Sequence, residues 1–513
     1  MRTFTLWGRK MALQFILGNS GCGKTEYMMK ELIVEEAVKN PRKNYLVIVP
    51  EQFTMQTQKK LVELSPNGAI MNIDVLSFKR LAYRVFDELG INDIEVLEET
   101  GKNIVLKKLA IDHLDELSVL KPNINRMGYI SEVKSLLSEF VQYNITPAQL
   151  SDFINSDKLS PVLKAKLSDV LVMYNSFKDY MHDRYITAEE ILNVLIECSD
   201  KSEMLKNSVI AFDEFTGFTP IQNQLMEKLL KLSDMVYVSV TIDSREDIYH
   251  SRGMQELFDM PKKTISLLMK IANRCKVEVL EPVIMDANYR FTDAPELHFM
   301  EQNLFRLKSN KYTDKPCNVQ ITNVKSPRDE LTAVARKIND LVHNHNYRYK
   351  DIAIVSGDID TYSNYAPSIL GRYNIPYFLD TTKEILFHPF IEFIRAVIDI
   401  AVTDFSYSAV LRFLRCGFCD IEENDIDILE NYLLATGIRT SALWEKRWLR
   451  TGRKKEAYDL DKLNEVRIEI YDLLAPFYEV FKEKESNVSR KIFAIYDLCI
   501  NLSIAQKLAG RSQ

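Results

Sequence analysis

The hydrophobic positions of this chain fall into two rhythms. Short unbroken apolar runs at residues 13–17, 45–49, 208–212 and 235–241 are rich in Val, Ile, Leu and aromatics, the pattern of strands buried on both faces of a parallel sheet. Stretches with a 3.6-residue period alternate with them. Residues 25–38 place Met28, Met29, Leu32, Ile33 and Val38 on one helical face, residues 220–232 form another helix, and a strand beginning at Val75 runs into a helix that reaches Phe86. This β-α alternation predicts an α/β fold. Between residues 101 and 206 the pattern changes to long amphipathic helices, such as 104–113 and 163–183, with no convincing strand, which reads as a helical insertion. The alternation then resumes, with a helix at 264–271, strands at 277–283, 318–324 and 351–356, and a helix at 328–344. From residue 390 onward the pattern is helical again, at 390–401, 408–414, 426–435 and 460–481.

Composition narrows the class. Hydrophobic residues make up 46% and charged residues 27% of the 513, and Gly and Pro number only 16 each, which excludes disordered and collagen-like chains. No apolar run approaches the 18 residues of a membrane span, and the N-terminus lacks the apolar core of a signal peptide. Seven scattered Cys are too few for a disulfide scaffold and point to a reducing, cytoplasmic setting. The net charge of −6 gives no global argument for nucleic acid, but screening confines each field to about 10 Å, so a local basic groove remains compatible with an acidic whole.

The strongest local signal is GNSGCGKT, from Gly18 through Asn19, Ser20, Gly21, Cys22, Gly23 and Lys24 to Thr25, which fits G-x-x-x-x-G-K-[ST] between an expected strand and an expected helix. The glycines let backbone N–H groups face phosphate oxygens, Lys24 reaches the β and γ phosphates, and the Thr25 hydroxyl suits Mg²⁺; the helix N-terminus adds its dipole. A nucleotide such as ATP is the implied ligand. Asp213 and Glu214 follow the apolar run 209–212 directly, the place for a carboxylate that holds the Mg²⁺ shell (Asp213) and one that polarises an attacking water (Glu214). Cys416 and Cys419 form a C-x-x-C, but no second pair stands at zinc-ribbon spacing.

GNSGCGKT, VPEQFT (49–54), VLSFKRLAYRV (75–85), FDEFTGFTP (212–220) and NYRFTDAPEL (288–297) occur in the order seen in UvrD-like superfamily 1 helicases. With HPFIEFIRAVIDI (388–400) they resemble most the AddB family, the B subunits of bacterial AddAB helicase–nucleases. The resemblance covers nearly all of residues 11–513. It implies P-loop NTPase (RecA-like) tandem domains with two large helical insertions: a first RecA-like domain at 11–100 and 207–284 split by the insertion at 101–206, the first part of a second RecA-like domain at 285–395, and a second insertion at 396–513. It implies ATP with Mg²⁺, an AddA partner, and single-stranded and double-stranded DNA ends processed for recombinational repair, with the AddB chain scanning single strands for a hotspot sequence. Gln52, Thr54, Phe78, Arg80, Tyr83 and Phe215 would line the single-strand groove, and Arg290 would reach the γ-phosphate from the second domain.

The sequence also departs from that family. The upstream glutamine motif that reads adenine is missing, and residues 236–243 end in TID without the Gln that couples ATP to DNA in active helicases. The late helicase motifs, the nuclease domain and its four-Cys 4Fe–4S ligands have no counterpart, so the chain reads as an N-terminal portion, with Met11 an alternative start. An autonomous ATP-dependent helicase and a P-loop small-molecule kinase stay as alternatives.

Overall fold

The computed structural model describes residues 11–511, apart from 92–94, 125, 157–158, 183–184, 307–309, 382–384 and 452–457. The reading of residues 1–10, and the end of the helix expected to reach 183, lie outside the described residues. The chain divides into two compact units, Met1–Ile321 and Thr322–Gln513.

The first unit is built on a parallel sheet. Its strands are β1 (Ala12–Gly18), β2 (Asn44–Ile48), β3 (Ile73–Leu76), β4 (Ser208–Phe212), β5 (Met235–Thr241), β6 (Glu278–Val279) and β7 (Val283–Met285). They lie in the order β3-β2-β4-β5-β1-β6, with β7 also paired to β1. Every pairing is parallel. Alternation along β1 sends Leu13, Phe15 and Leu17 into one core and Ile16 into the other, so the sheet is covered on both faces and its strands must be apolar throughout. On one face lie α1 (Lys24–Tyr27, continuing through a π-helical stretch Met28–Val34 into Glu35–Lys39) and α2 (Thr54–Leu64). On the other lie α3 (Phe78–Leu89) and the helices Ile191–Cys198, Pro220–Leu232 and Asp259–Cys275.

The insertion packs separately. Helices Glu99–Asp112, Met127–Gln142, Pro147–Ile154 and Pro161–Met181 enclose Leu106, Ile130, Leu137, Met173 and Phe177. Its base is closed by a two-residue parallel pairing of Val96–Leu97 with Ile186–Thr187, too short to register as periodicity. Two buried charges hold it together. Lys102 is 2% exposed and donates to Glu99 and Glu189 at 2.8 and 2.7 Å. Asp169, equally buried, accepts from the backbone N–H groups of Ser118, Val119 and Leu120, tying the loop after the first helix to the last. The insertion ends earlier than residue 206: Ile191, Leu195 and Leu205 already belong to the core beneath the sheet.

The second unit departs most from expectation. Residues 318–324 and 351–356 form no strand, and among the described residues the second unit has no paired strand at all. Ile321, the last residue of the first unit, is 94% exposed and Val355 of the second 91%, so these segments lie beside no neighbour that would bury them, and β-propensity acts only through such neighbours. The expected strand 277–283 is broken into β6 and β7, and the first unit continues past residue 285 to Ile321. Helices Pro389–Val402, Tyr407–Arg415, Glu423–Thr436 and Leu460–Lys482 surround Phe393, Phe413, Tyr432 and Trp444. Cys416 donates to the Arg412 carbonyl at 3.1 Å, and burial pushes the Cys419 thiol up to about 12, the behaviour of core thiols. Among the described residues no group of three His, Cys, Asp or Glu is placed to hold a metal ion, and no single helix is long and apolar enough to cross a membrane.

Candidate functional site

The loop 18–25 emerges at the carboxyl edge of the sheet, where open parallel sheets bind ligands. Gly18 is registered with Thr241 of β5, and β4 on the far side of β5 delivers Asp213 one residue past Phe212. The glycines are required by close approach. A Cβ on Gly18 would fall 2.1 Å from the Met285 carbonyl oxygen; on Gly21, with φ +82°, it would fall 2.6 Å from Arg290 Cβ; on Gly23, with φ +90°, 2.9 Å from the Tyr289 ring. Gly23 caps α1 without a side-chain acceptor, leaving the first helical N–H groups open to an anion.

A cleft of about 470 Å³ lies against this loop, within the range of nucleotide-sized sites. Lys24 lines it but is 7% exposed, and its Nζ donates to the carbonyls of Gly18 and Asn19, both at 2.8 Å. Burial lowers its pKa, against the favourable fields of Cys22, Asp213 and Glu214. Asp213 is 3% exposed and its Oδ2 has no hydrogen-bond partner, an arrangement that calls for an ion or ligand. Glu214 sits on a left-handed backbone, φ +63°, which is costly for a side chain of this kind and recurs at functional sites. Its carboxyl is raised above the ordinary range, first by desolvation and then by the charge of Asp213. Thr25 lines the same cleft. These donors suit an oxygen-bound Mg²⁺ held through a nucleotide: a threonine hydroxyl, a carboxylate with a vacant oxygen, and a lysine for phosphate.

Arg290 reaches the loop from within the first unit rather than from a second domain. The Tyr289 and Arg290 amides both donate to the Gly21 carbonyl at 3.2 Å, and Arg290 Nη1 donates to Ser20 Oγ at 3.1 Å. The physical reason is that β7 pairs with β1 and so carries residues 286–291 directly over the loop. Behind this segment, Asp243 is buried at the end of β5, receiving Arg245 Nε at 2.7 Å and Arg306 Nε at 3.0 Å. Arg306 is itself 4% exposed and stacks over Phe258. Burial works against the Asp243 charge, yet the Arg245 hydrogen bonds and the two guanidinium fields hold its pKa down to about 2.

The six residues expected to line a single-strand groove divide in two. Gln52 and Arg80 are exposed, and Tyr83 is 38% exposed, packed edge-on against Phe86. Thr54 and Phe78 are buried, at 5% and 7%. Thr54 Oγ1 donates to the Glu51 carbonyl, and Phe78 joins Phe212, Phe215 and Phe218 in one aromatic cluster, so both support the surface from beneath. Phe215 is half-buried in that cluster and also borders the cleft. Glu51, inside VPEQFT but given no role there, joins the two segments: its carboxylate accepts from the Ser77 hydroxyl and from Arg80 Nε at 3.1 Å. Glu26, Lys60 and Tyr289 also line the cleft without having been singled out by spacing.

Fold and site together define an α/β protein with a glycine-rich loop at the carboxyl edge of a parallel sheet, facing an acidic pair. Residues 15–301, more than half of the chain, match the family described as ADDB, N-terminal, and the chain belongs to that family. A protein of Lachnoclostridium phytofermentans, named as the B subunit of an ATP-dependent helicase/deoxyribonuclease, is 37% identical over 503 residues, covering 97% of this chain and 44% of that protein. One of the same name from Caldanaerobacter subterraneus is 32% identical over 514 residues, covering 97% and 43%. The chain spans less than half the length of these curated relatives.

Proposed function

We propose that this chain is the helicase-like part of the AddB component of an AddAB-type helicase–nuclease that processes double-strand DNA ends in recombinational repair. In this reading it pairs with an AddA subunit, holds Mg-ATP in the cleft of the first unit, and scans single-stranded DNA along the face made by residues 51–54 and 77–83. The observation that carries the nucleotide reading is the buried, unpartnered Oδ2 of Asp213 beside Lys24 and Thr25.

Mg²⁺, when bound, would neutralise charge between the phosphates. Lys24 would move from the loop carbonyls to phosphate oxygens, and Thr25 and Asp213 would hold the metal's oxygen shell. Glu214, whose carboxyl is raised by desolvation and by the Asp213 charge, is the group placed to accept a proton from water. Tyr289, 68% exposed beside Gly23, offers a ring on which a base can stack.

The DNA half is tested by anisotropy of a labelled single-stranded oligonucleotide at fixed salt. Arg80 shares Glu51 with Ser77 and can exchange that half-exposed partner for phosphate at little cost. Arg80→Ala is expected to weaken DNA binding roughly 5- to 10-fold, the loss of one charged contact, while leaving nucleotide affinity unchanged. Unchanged DNA affinity in both Arg80→Ala and Gln52→Ala would place the strand elsewhere.

A further inference from the structure

Lys60 stands on the exposed side of α2, and its Nζ lies 2.8 Å from Glu26 Oε2. Both side chains line the cleft together with Lys24, Asp213, Glu214 and Arg290. Glu26 follows Thr25 directly, in the first turn of α1. A carboxylate there suits the helix N-terminus but opposes an incoming triphosphate. The other two cations of the cleft are committed to the loop itself, Lys24 to two carbonyls and Arg290 to Ser20. Lys60 alone among the described cleft cations is held only by a carboxylate, in a pair whose side chains are 36% and 51% exposed. Pairs of that exposure hold weakly, and a lysine head on a flexible stem re-partners readily. The Lys60 charge also reaches Glu214, where it counters the desolvation and the Asp213 field that raise that carboxyl.

We propose that Lys60 is a second phosphate-binding lysine, which leaves Glu26 on nucleotide binding to contact the terminal phosphate of a nucleoside triphosphate and so separates tri- from diphosphate. The inference rests on the cleft taking a nucleotide. The test is calorimetric titration of the purified chain with Mg-ATPγS and with Mg-ADP, for the wild type, Lys60→Ala, Glu26→Gln and the double variant. Lys60→Ala is expected to weaken Mg-ATPγS roughly tenfold and Mg-ADP less than about twofold, the loss of one charge-assisted contact to the terminal phosphate. Glu26→Gln should tighten Mg-ATPγS by releasing Lys60, and the double variant should keep the Lys60→Ala deficit. Recovery of wild-type affinity in the double variant would mean that Lys60 only neutralises Glu26, and equal losses for both nucleotides would remove the terminal-phosphate contact; either result overturns the proposal while the nucleotide cleft stands. Absence of binding by the wild type for both nucleotides would instead overturn the cleft reading beneath it.

Discussion

Lys24→Ala is expected to lower affinity for Mg-ATPγS by at least about 100-fold while leaving the melting temperature within a few degrees of the wild type. The first part follows from the site: a lysine 7% exposed, placed among loop amides, delivers its charge to phosphate in surroundings where water screens it poorly, and two charge-assisted contacts at about 1.5 kcal/mol each account for that factor. The second part follows from its ligand-free state. Desolvation lowers the Lys24 pKa, so the fold holds this cation at a cost that the Gly18 and Asn19 carbonyls and the neighbouring carboxylates only partly offset. Alanine removes both the cost and the bonds, and the net change should stay within about 1 kcal/mol. Calorimetric titration and a thermal melt on the same preparation check the pair of outcomes. A large fall in melting temperature would make Lys24 a structural residue.

The second large effect is expected at Asp243, and it falls on stability. Asp243→Ala takes from the Arg306 side chain, 4% exposed, its nearer carboxylate at the end of β5 and leaves it only the Glu301 carboxylate, with Oε1 at 3.5 Å, and breaking a buried pair from one side costs about 3–5 kcal/mol. The pH dependence has a defined sign. The Asp243 pKa falls from 3.8 to about 2 on folding, so its contribution is complete above the unfolded value and is lost as pH falls through the folded value. That difference corresponds to about 2 kcal/mol, at 1.36 kcal/mol per unit. Melting curves of the wild type should therefore fall between pH 4 and pH 2 by more than those of Asp243→Asn. Parallel curves would show that the charge of Asp243 does not hold residues 295–306 against the sheet.

What could be read from sequence and what could not divide along physical lines. Strands β1, β2, β4 and β5 were legible because a sheet covered on both faces demands unbroken apolar runs, and Gly18 and Pro50 mark where two of them stop. The segments 318–324, NVQITNV, and 351–356, DIAIVS, carry β-branched residues without forming strands, since a strand exists only through its neighbours. The position of the glycine-rich loop was legible because its pattern is local, eight consecutive residues between a strand and a helix. The positions of Asp213 and Glu214 were legible because they follow a strand directly. Arg290 could be named, but not the β7–β1 pairing that brings it to the loop from within the first unit. Lys60 meets Glu26, and Arg306 meets Asp243, across separations of 34 and 63 residues that no periodicity encodes. Phe78 and Thr54 carry the residue types of a DNA groove, yet the aromatic cluster and the Glu51 turn bury them.

The central claim is that the cleft beside Gly18–Thr25 binds a Mg-nucleotide, and the most direct measurement is calorimetric titration of Mg-ATPγS into the folded wild-type chain, repeated without Mg²⁺. One site per chain is expected, with binding weakened severalfold or more when Mg²⁺ is withheld, because the unpartnered Asp213 oxygen then has no ion to face. A folded chain that takes up no nucleotide at millimolar concentration with Mg²⁺ present would contradict it.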